Sequence, residues 1–132
     1  MSQHTLFICK SCAFSPTKRD YMGQRGGYHL WQSLLRLQHQ WQLQAEYNIE
    51  AVDCLSGCNR ACAIAFAAPD KTTLMFGDLP PLQSASAILK LAEQYYTSSD
   101  GIVPRQERPE LLKKGILATI PPLLSRTKAS EP

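Results

Sequence analysis

The chain is organised around residues 52–62, whose sequence is VDCLSGCNRAC and which hold three of the five cysteines, Cys54, Cys58 and Cys62. The other two, Cys9 and Cys12, lie far upstream. Iron–sulfur clusters and soft metals need several sulfur ligands, which a single short loop does not readily supply alone. If the two cysteine segments meet in the fold, the sequence predicts a metal or cluster site.

The segments that precede the cysteines predict how they meet. Residues 5–8 (TLFI) form an apolar run typical of a buried strand, and residues 48–53 (NIEAVD) predict a second strand that ends at Cys54. Between them, residues 13–28 predict a loop, because they are rich in glycine and charge, and apolar residues at positions 30, 34, 37 and 41 predict a helix from about His29 to Tyr47. Two parallel strands joined by a right-handed helical crossover would deliver both cysteine groups to one sheet edge.

The rest of the chain extends this unit. Residues 63–67 and 72–76 predict a hairpin around a four-residue turn, residues 77–81 break the pattern, and a second amphipathic helix ends near Tyr96. The order βαβββα predicts an α/β sandwich of thioredoxin-like type with a mixed four-stranded sheet. Residues 1–96 form this domain. Residues 97–132 form an irregular extension packed on it, with a helical turn at 110–114 that Gly115 ends, an extended segment at 116–120 and a frayed end.

Composition narrows the class of protein. The chain has 132 residues, 44% of them hydrophobic and 19% charged, and a net charge of +3, with the basic residues scattered from Lys10 to Lys128. It lacks both the basic stripe of a nucleic-acid binder and an apolar run long enough for a membrane span. No export signal precedes the first strand, so we expect a cytoplasmic protein. In a reducing compartment, five cysteines favour metal or redox chemistry over disulfides.

The cysteine spacing suits metal ligation. Two thiolates in Cys9-x-x-Cys12, or in Cys54-x-x-x-Cys58, can reach one metal centre, and Gly57 lets the chain wrap closely around inorganic sulfide. For one cysteine, burial as a small hydrophobe would be the ordinary explanation. Two closely spaced pairs at predicted strand ends favour ligation instead.

At this point the chain shows a resemblance to known families. Residues 52–62 resemble the second cysteine segment of thioredoxin-like [2Fe-2S] ferredoxins and of the small [2Fe-2S] subunit of respiratory complex I. Over nearly its whole length, the chain resembles a bacterial family of uncharacterised predicted metal-binding proteins. The resemblance rests on both cysteine motifs and on the segments 76–78 (FGD), 101–104 (GIVP), 108–109 (RP) and 120–122 (IPP).

The ferredoxin resemblance implies a [2Fe-2S] cluster with one iron held by Cys9 and Cys12 and the other by Cys54 and Cys58. The complex I subunit commonly has proline at the position of Cys62. Cys62 could replace one of the four ligands, could join Cys54 and Cys58 on another cluster type, or could be a thiol packed beneath the site. We expect the last arrangement.

The sequence therefore predicts an electron carrier, not an enzyme, that exchanges single electrons with an unidentified redox enzyme; assembly as a homodimer stays open. One alternative is a thiol–disulfide oxidoreductase that uses Cys9-x-x-Cys12. The residues after Cys12 do not begin a convincing helix, which disfavours it. The other alternative is a structural zinc site, because four thiolates also satisfy tetrahedral zinc.

Overall fold

A mixed five-stranded sheet forms the centre of the computed structural model, which describes residues 4–9, 20–52, 62–80 and 82–122. The strands are β1 (His4–Cys9), β2 (Asp20–Tyr21), β3 (Gln24–Arg25), β4 (Tyr47–Val52), β5 (Cys62–Ala67), β6 (Thr73–Leu79) and β7 (Ile116–Ile120). The helices are α1 (Gly26–Gln38) and α2 (Ala85–Thr97), followed by two short 3₁₀ turns, Arg105–Glu107 and Glu110–Leu112. The expected α/β fold is confirmed, and β7 adds a fifth strand to the four expected.

The sheet order is β4-β1-β5-β6-β7. β1 pairs in parallel with β4 and antiparallel with β5, while β5 with β6 and β6 with β7 form antiparallel ladders. The parallel pair with a helical crossover is therefore confirmed. The ends of β1 and β4 and the start of β5 consequently lie at one edge of the sheet, which we call the cysteine edge.

Both helices cover the same face of the sheet. Side chains alternate between the two faces along a strand, so Leu6 and Ile8 of β1 point together toward the helices. They join Leu30 and Leu34 of α1 in the main core, together with residues of β5, β6 and α2 that have little or no exposed surface. This core packs on one face of the sheet, and a separate buried cluster contains Cys9 and Ala63.

Helix α1 differs from the sequence prediction at both ends. It begins at Gly26, where a loop was expected, and it ends at Gln38, well before Tyr47. Residues 39–46 form turns instead, with hydrogen bonds to the third preceding residue such as Trp41 N to Gln38 O at 3.1 Å. Trp41 is still buried, and its Nε1 donates to Glu93 Oε2 at 3.0 Å. The apolar residue at position 41 therefore reflects burial of Trp41 in the tertiary structure, and it does not extend α1.

Two further segments were predicted differently. Residues 20–25, expected as loop, form the small hairpin of β2 and β3. β6 continues through Gly77 to Leu79, although residues 77–81 were expected to break the pattern. The strand accommodates Gly77 and Asp78 through a register shift near Phe76 and a positive φ of 61° at Asp78. None of the helices in the described ranges is long and apolar enough to cross a membrane.

Candidate metal centre

The strand register brings the ends of β1 and β4 and the start of β5 together at the cysteine edge. Cys9, the last residue of β1, lies opposite Val52, the last residue of β4. Cys62 opens β5, the other neighbour of β1, where Ile8 pairs with Ile64. The chain therefore leaves the sheet at Val52 and re-enters it at Cys62 at the same edge at which β1 ends. This placement is what a shared site requires.

Cys9 lies on the sheet face opposite the helices. Its neighbours Leu6 and Ile8 belong to the main core, whereas Cys9 forms a second buried cluster with Ala63, and Met75 packs against this cluster. Cys9 and Ala63 have no exposed surface. The sulfur thus lies in an apolar setting, where a charged thiolate is unfavourable unless a cation compensates it. A bound metal would supply that cation, and a neutral thiol would avoid the charge, so the burial of Cys9 is compatible both with a ligand and with an ordinary buried cysteine.

The structure describes the surroundings of Cys9 but not those of the other four cysteines. Cys12, Cys54 and Cys58 lie outside the described residues, and for Cys62 only the position in β5 is described. Within the described ranges, no group of three or more His, Cys, Asp or Glu residues is arranged to hold a metal. The four-cysteine ligand set therefore remains a proposal, anchored at Cys9 and at the register of β1 with β4 and β5.

The opposite edge of the sheet holds a polar cluster that sequence reasoning missed. Lys71 Nζ lies 2.9 Å from His4 Nε2 and donates to the carbonyl oxygens of Tyr95 at 2.8 Å and Tyr96 at 3.1 Å, near the end of α2. The pKa of His4 is lowered, first by burial and then by the Lys71 charge, with Glu46 acting in the opposite direction. Burial likewise lowers the pKa of Lys71.

This cluster is structural in character. His4 also packs against the rings of Tyr47, Tyr95 and Tyr96, with centroid distances of 5.3, 6.0 and 5.0 Å. A lysine at the C-terminal end of a helix stabilises the last carbonyl groups and the helix dipole. No sequence spacing links His4 with Lys71, because the sheet alone brings the start of β1 next to the turn between β5 and β6.

Two solved structures are similar to this fold. One is the structure of a thioredoxin-like [2Fe-2S] ferredoxin from Aquifex aeolicus, with a TM-score of 0.57 at 15% identity, covering 95% of this chain and 100% of that one. The other is the 1.5 Å crystal structure of the wild-type thioredoxin-like [2Fe-2S] ferredoxin from the same organism, with a TM-score of 0.54 at 15% identity, covering 89% and 99%. At this identity the likeness establishes the fold.

One family model matches most of the sequence and not only the cysteine motifs. No curated protein sequence matches the chain. The family model described as "Protein of unknown function (DUF1636)" matches residues 6–122, which include all five cysteines and all of the main sheet except the first two residues of β1. The chain therefore belongs to the DUF1636 family.

Proposed function

We propose that this protein is a [2Fe-2S] electron carrier whose cluster is held by Cys9, Cys12, Cys54 and Cys58. The observation that carries the proposal is the register of Cys9 opposite Val52, which starts both cysteine segments from adjacent strands at one sheet edge. The fold match to thioredoxin-like [2Fe-2S] ferredoxins supports the same function. An unidentified redox enzyme is the proposed partner, and the cytoplasm is the proposed location.

The protein's own residues would set the conditions at the site. A bound [2Fe-2S] cluster supplies one-electron chemistry, which amino-acid side chains do not provide at ordinary potentials. Cys9 would contribute one ligand from a buried position. Ala63 and Met75 would keep water from that side of the site, and exclusion of water is one of the factors that set a cluster's potential.

The burial of Cys9 also bears on the thiol–disulfide alternative. Reactive cysteines lie in partly exposed, electropositive surroundings, where the thiolate can reach a substrate. Cys9 has no exposed surface and lies beside apolar residues. This environment favours a ligand over an attacking thiol.

Spectroscopy of anaerobically purified protein tests the proposal. We expect visible absorbance, about two irons and two acid-labile sulfides per chain, and an EPR signal after one-electron reduction with dithionite. Zinc in place of iron, in a colourless protein prepared with iron and sulfide supplied, would establish the structural zinc alternative. Metal-free protein that reduces a disulfide substrate would establish the oxidoreductase.

A further inference from the structure

The two outer strands of the main sheet, β4 and β7, differ in how they resist pairing with another chain. β4 presents the exposed side chains of Asn48 and Glu50, and a charge on an outer strand discourages such pairing. β7 has the sequence ILATI, which contains no charged residue, proline or glycine. Within the described residues it pairs only with β6, so every second residue directs its backbone N–H and C=O away from the sheet. β7 is therefore the edge that is open to a further strand.

Two large apolar side chains remain exposed on β7. Ile116 is 38% exposed and Ile120 is 51% exposed, whereas the other strands in the described ranges leave no large apolar residue exposed to this degree. The register shift between β6 and β7 falls before Ala118, so residues 118–120 keep a regular ladder. Covering both isoleucines would remove apolar surface from water, which favours association. The edge therefore favours an apolar strand as its partner.

The sequence of β7 is suited to pairing with itself. An antiparallel pairing of two copies about Ala118 places Ile116 of each copy opposite Ile120 of the other, and Ala118 opposite Ala118. Such a two-fold contact uses the same surface of both copies, which is the commonest symmetry among protein oligomers. The same register places Lys114 of one copy opposite Pro122 of the other, so the like charges of the two copies stay apart.

The C-terminal segment of the same chain is a poorer partner for this edge. To pair with β7 it would have to turn back directly after Ile120, at Pro121 and Pro122. The favoured two-residue hairpin loops need a positive φ, whereas proline holds φ at about −65°, so this loop is unfavourable. A longer loop would align residues 125–129 (SRTKA), which include two basic residues and a single apolar one, with an apolar strand. A second copy fits the edge better.

We infer that β7 pairs with β7 of a second copy to form a symmetric dimer with one continuous sheet. The inference goes beyond the proposed electron-carrier function and does not depend on it. With neighbouring strands about 4.8 Å apart, the two β1 strands would lie seven strand spacings, or about 34 Å, from each other. The end of β1 in each copy would therefore lie well away from the interface.

The size of the interface predicts a weak dimer. β7 has five residues and is about 17 Å long. Interfaces smaller than the standard size form transient complexes, so we expect a dissociation constant of about 1–100 µM. Sedimentation velocity from about 1 to 300 µM covers this range, with a thiol reductant present to exclude intermolecular disulfides. A protein that stays monomeric at about 300 µM would overturn the inference.

Ala118 meets its own copy in this dimer, which provides a specific test. It pairs with Met75 on the sheet face away from the helices, so a longer side chain there is directed away from the main core. Ala118→Lys and Ala118→Glu should each raise the dissociation constant about tenfold or more, because like charges would face each other. Mixing the two variants should restore dimers, because the facing charges would then be opposite. Asn48→Lys, exposed on β4, is the matched control for the added charge and should dimerise like the wild type.

Two results with these variants would contradict the dimer. Ala118→Lys protein that dimerises as well as Asn48→Lys protein would place the interface elsewhere and overturn the inference. Two monomeric Ala118 variants that do not associate when mixed would also overturn it, because Ala118 would then not meet itself. Circular dichroism establishes that the variants are folded.

Hydrogen exchange of the wild-type protein tests the strand pairing even if a variant fails to fold. Well above the dissociation constant, we expect the outward-facing backbone amides of β7 to exchange about threefold or more slowly than well below it, because pairing adds hydrogen bonds. The amides of β4 should exchange equally at both concentrations. If the β7 amides were equally protected at both concentrations, the edge would be covered within one chain, and the dimer would be overturned.

Discussion

Cys9 and Val52 are in-register partners at the ends of two parallel strands, β1 and β4. One strand ends in the first cysteine segment, and the other ends one residue before Asp53-Cys54 in the sequence. The pairing ties the two halves of the proposed ligand set to a single sheet edge, and it gives the cysteine substitutions a defined structural context.

Replacing any one of Cys9, Cys12, Cys54 or Cys58 with alanine should abolish the visible chromophore. Loss of one thiolate leaves an iron with an open position that water or oxygen attacks. Iron content and absorbance measured after anaerobic purification check this outcome. If Cys9→Ala retained iron and absorbance at the wild-type level while remaining folded, the first pair would not be part of the ligand set.

Cys62→Ala should retain the cluster, with at most a shifted potential or a shorter lifetime in air. Cys62 is the first residue of β5, where it pairs with Leu79, and it is not among the four proposed ligands. Its substitution would therefore change packing and polarity near the site without removing a ligand. Colourless Cys62→Ala protein, with Cys12→Ala still brown, would move Cys62 into the ligand set.

Gly115→Ala should destabilise the protein by about 2 kcal/mol or more, because its φ of +81° disfavours L side chains and a Cβ would approach Gly77 O to 2.5 Å. Gly23→Ala is the matched control. It has a similar φ of +84°, but apart from its chain neighbours no atom of the described residues lies within 4 Å of the added Cβ, so only the backbone term of about 1 kcal/mol remains. Urea unfolding curves of the two variants measure the difference in unfolding free energy. Equal losses of unfolding free energy would show that Gly77 and Gly115 move apart without cost to admit the Cβ.

His4 should make the protein less stable as the pH falls below about 6.5. Its pKa is lowered in the folded state, so the unfolded chain binds the proton more readily, and the stability present above the unfolded pKa declines in acid. The positive charge of Lys71 disfavours protonation of the His4 imidazole, whereas the negative charge of Glu46 favours it.

The control for this effect is His4→Gln, which retains an acceptor for Lys71 but does not titrate. Melting temperatures at pH 5.5 and 7.5 should differ less for this variant than for the wild type. If the melting temperature of the wild type changed no more between these pH values than that of His4→Gln, the pH dependence would not come from His4.

Sequence pattern predicted the elements that apolar periodicity specifies locally. Residues 5–8 and 63–67 were recognised as strands because their runs are short, apolar and bounded by turns, and α2 was recognised by its apolar stripe. The helical turn after Pro109 was predicted as well, and it appears as the 3₁₀ turn Glu110–Leu112. In these cases local propensity and the tertiary fold favour the same structure.

Other features depend on contacts between distant residues. The extended character of residues 116–120 was predicted, but its pairing with β6 was not, because a pattern of alternation does not specify which strand lies alongside. Gly115 was recognised as a helix-terminating glycine, whereas its close approach to Gly77 emerges only in three dimensions. The ligand assignments of Cys9, Cys12, Cys54 and Cys58 remain predictions from the sequence.

The position of β1 between β4 and β5 has a consequence for synthesis in the cell. β1 is the first strand made, yet both of its partners, β4 and β5, follow much later in the chain, and β5 is complete only at Ala67. At ordinary elongation rates the ribosome needs roughly 3–12 s between Cys9 and Ala67. Throughout that interval the first thiol pair is present in a nascent chain that lacks the strands which bury Cys9. In the proposed electron carrier, cluster insertion would therefore follow translation of β5, and a reducing environment would protect the thiols until then.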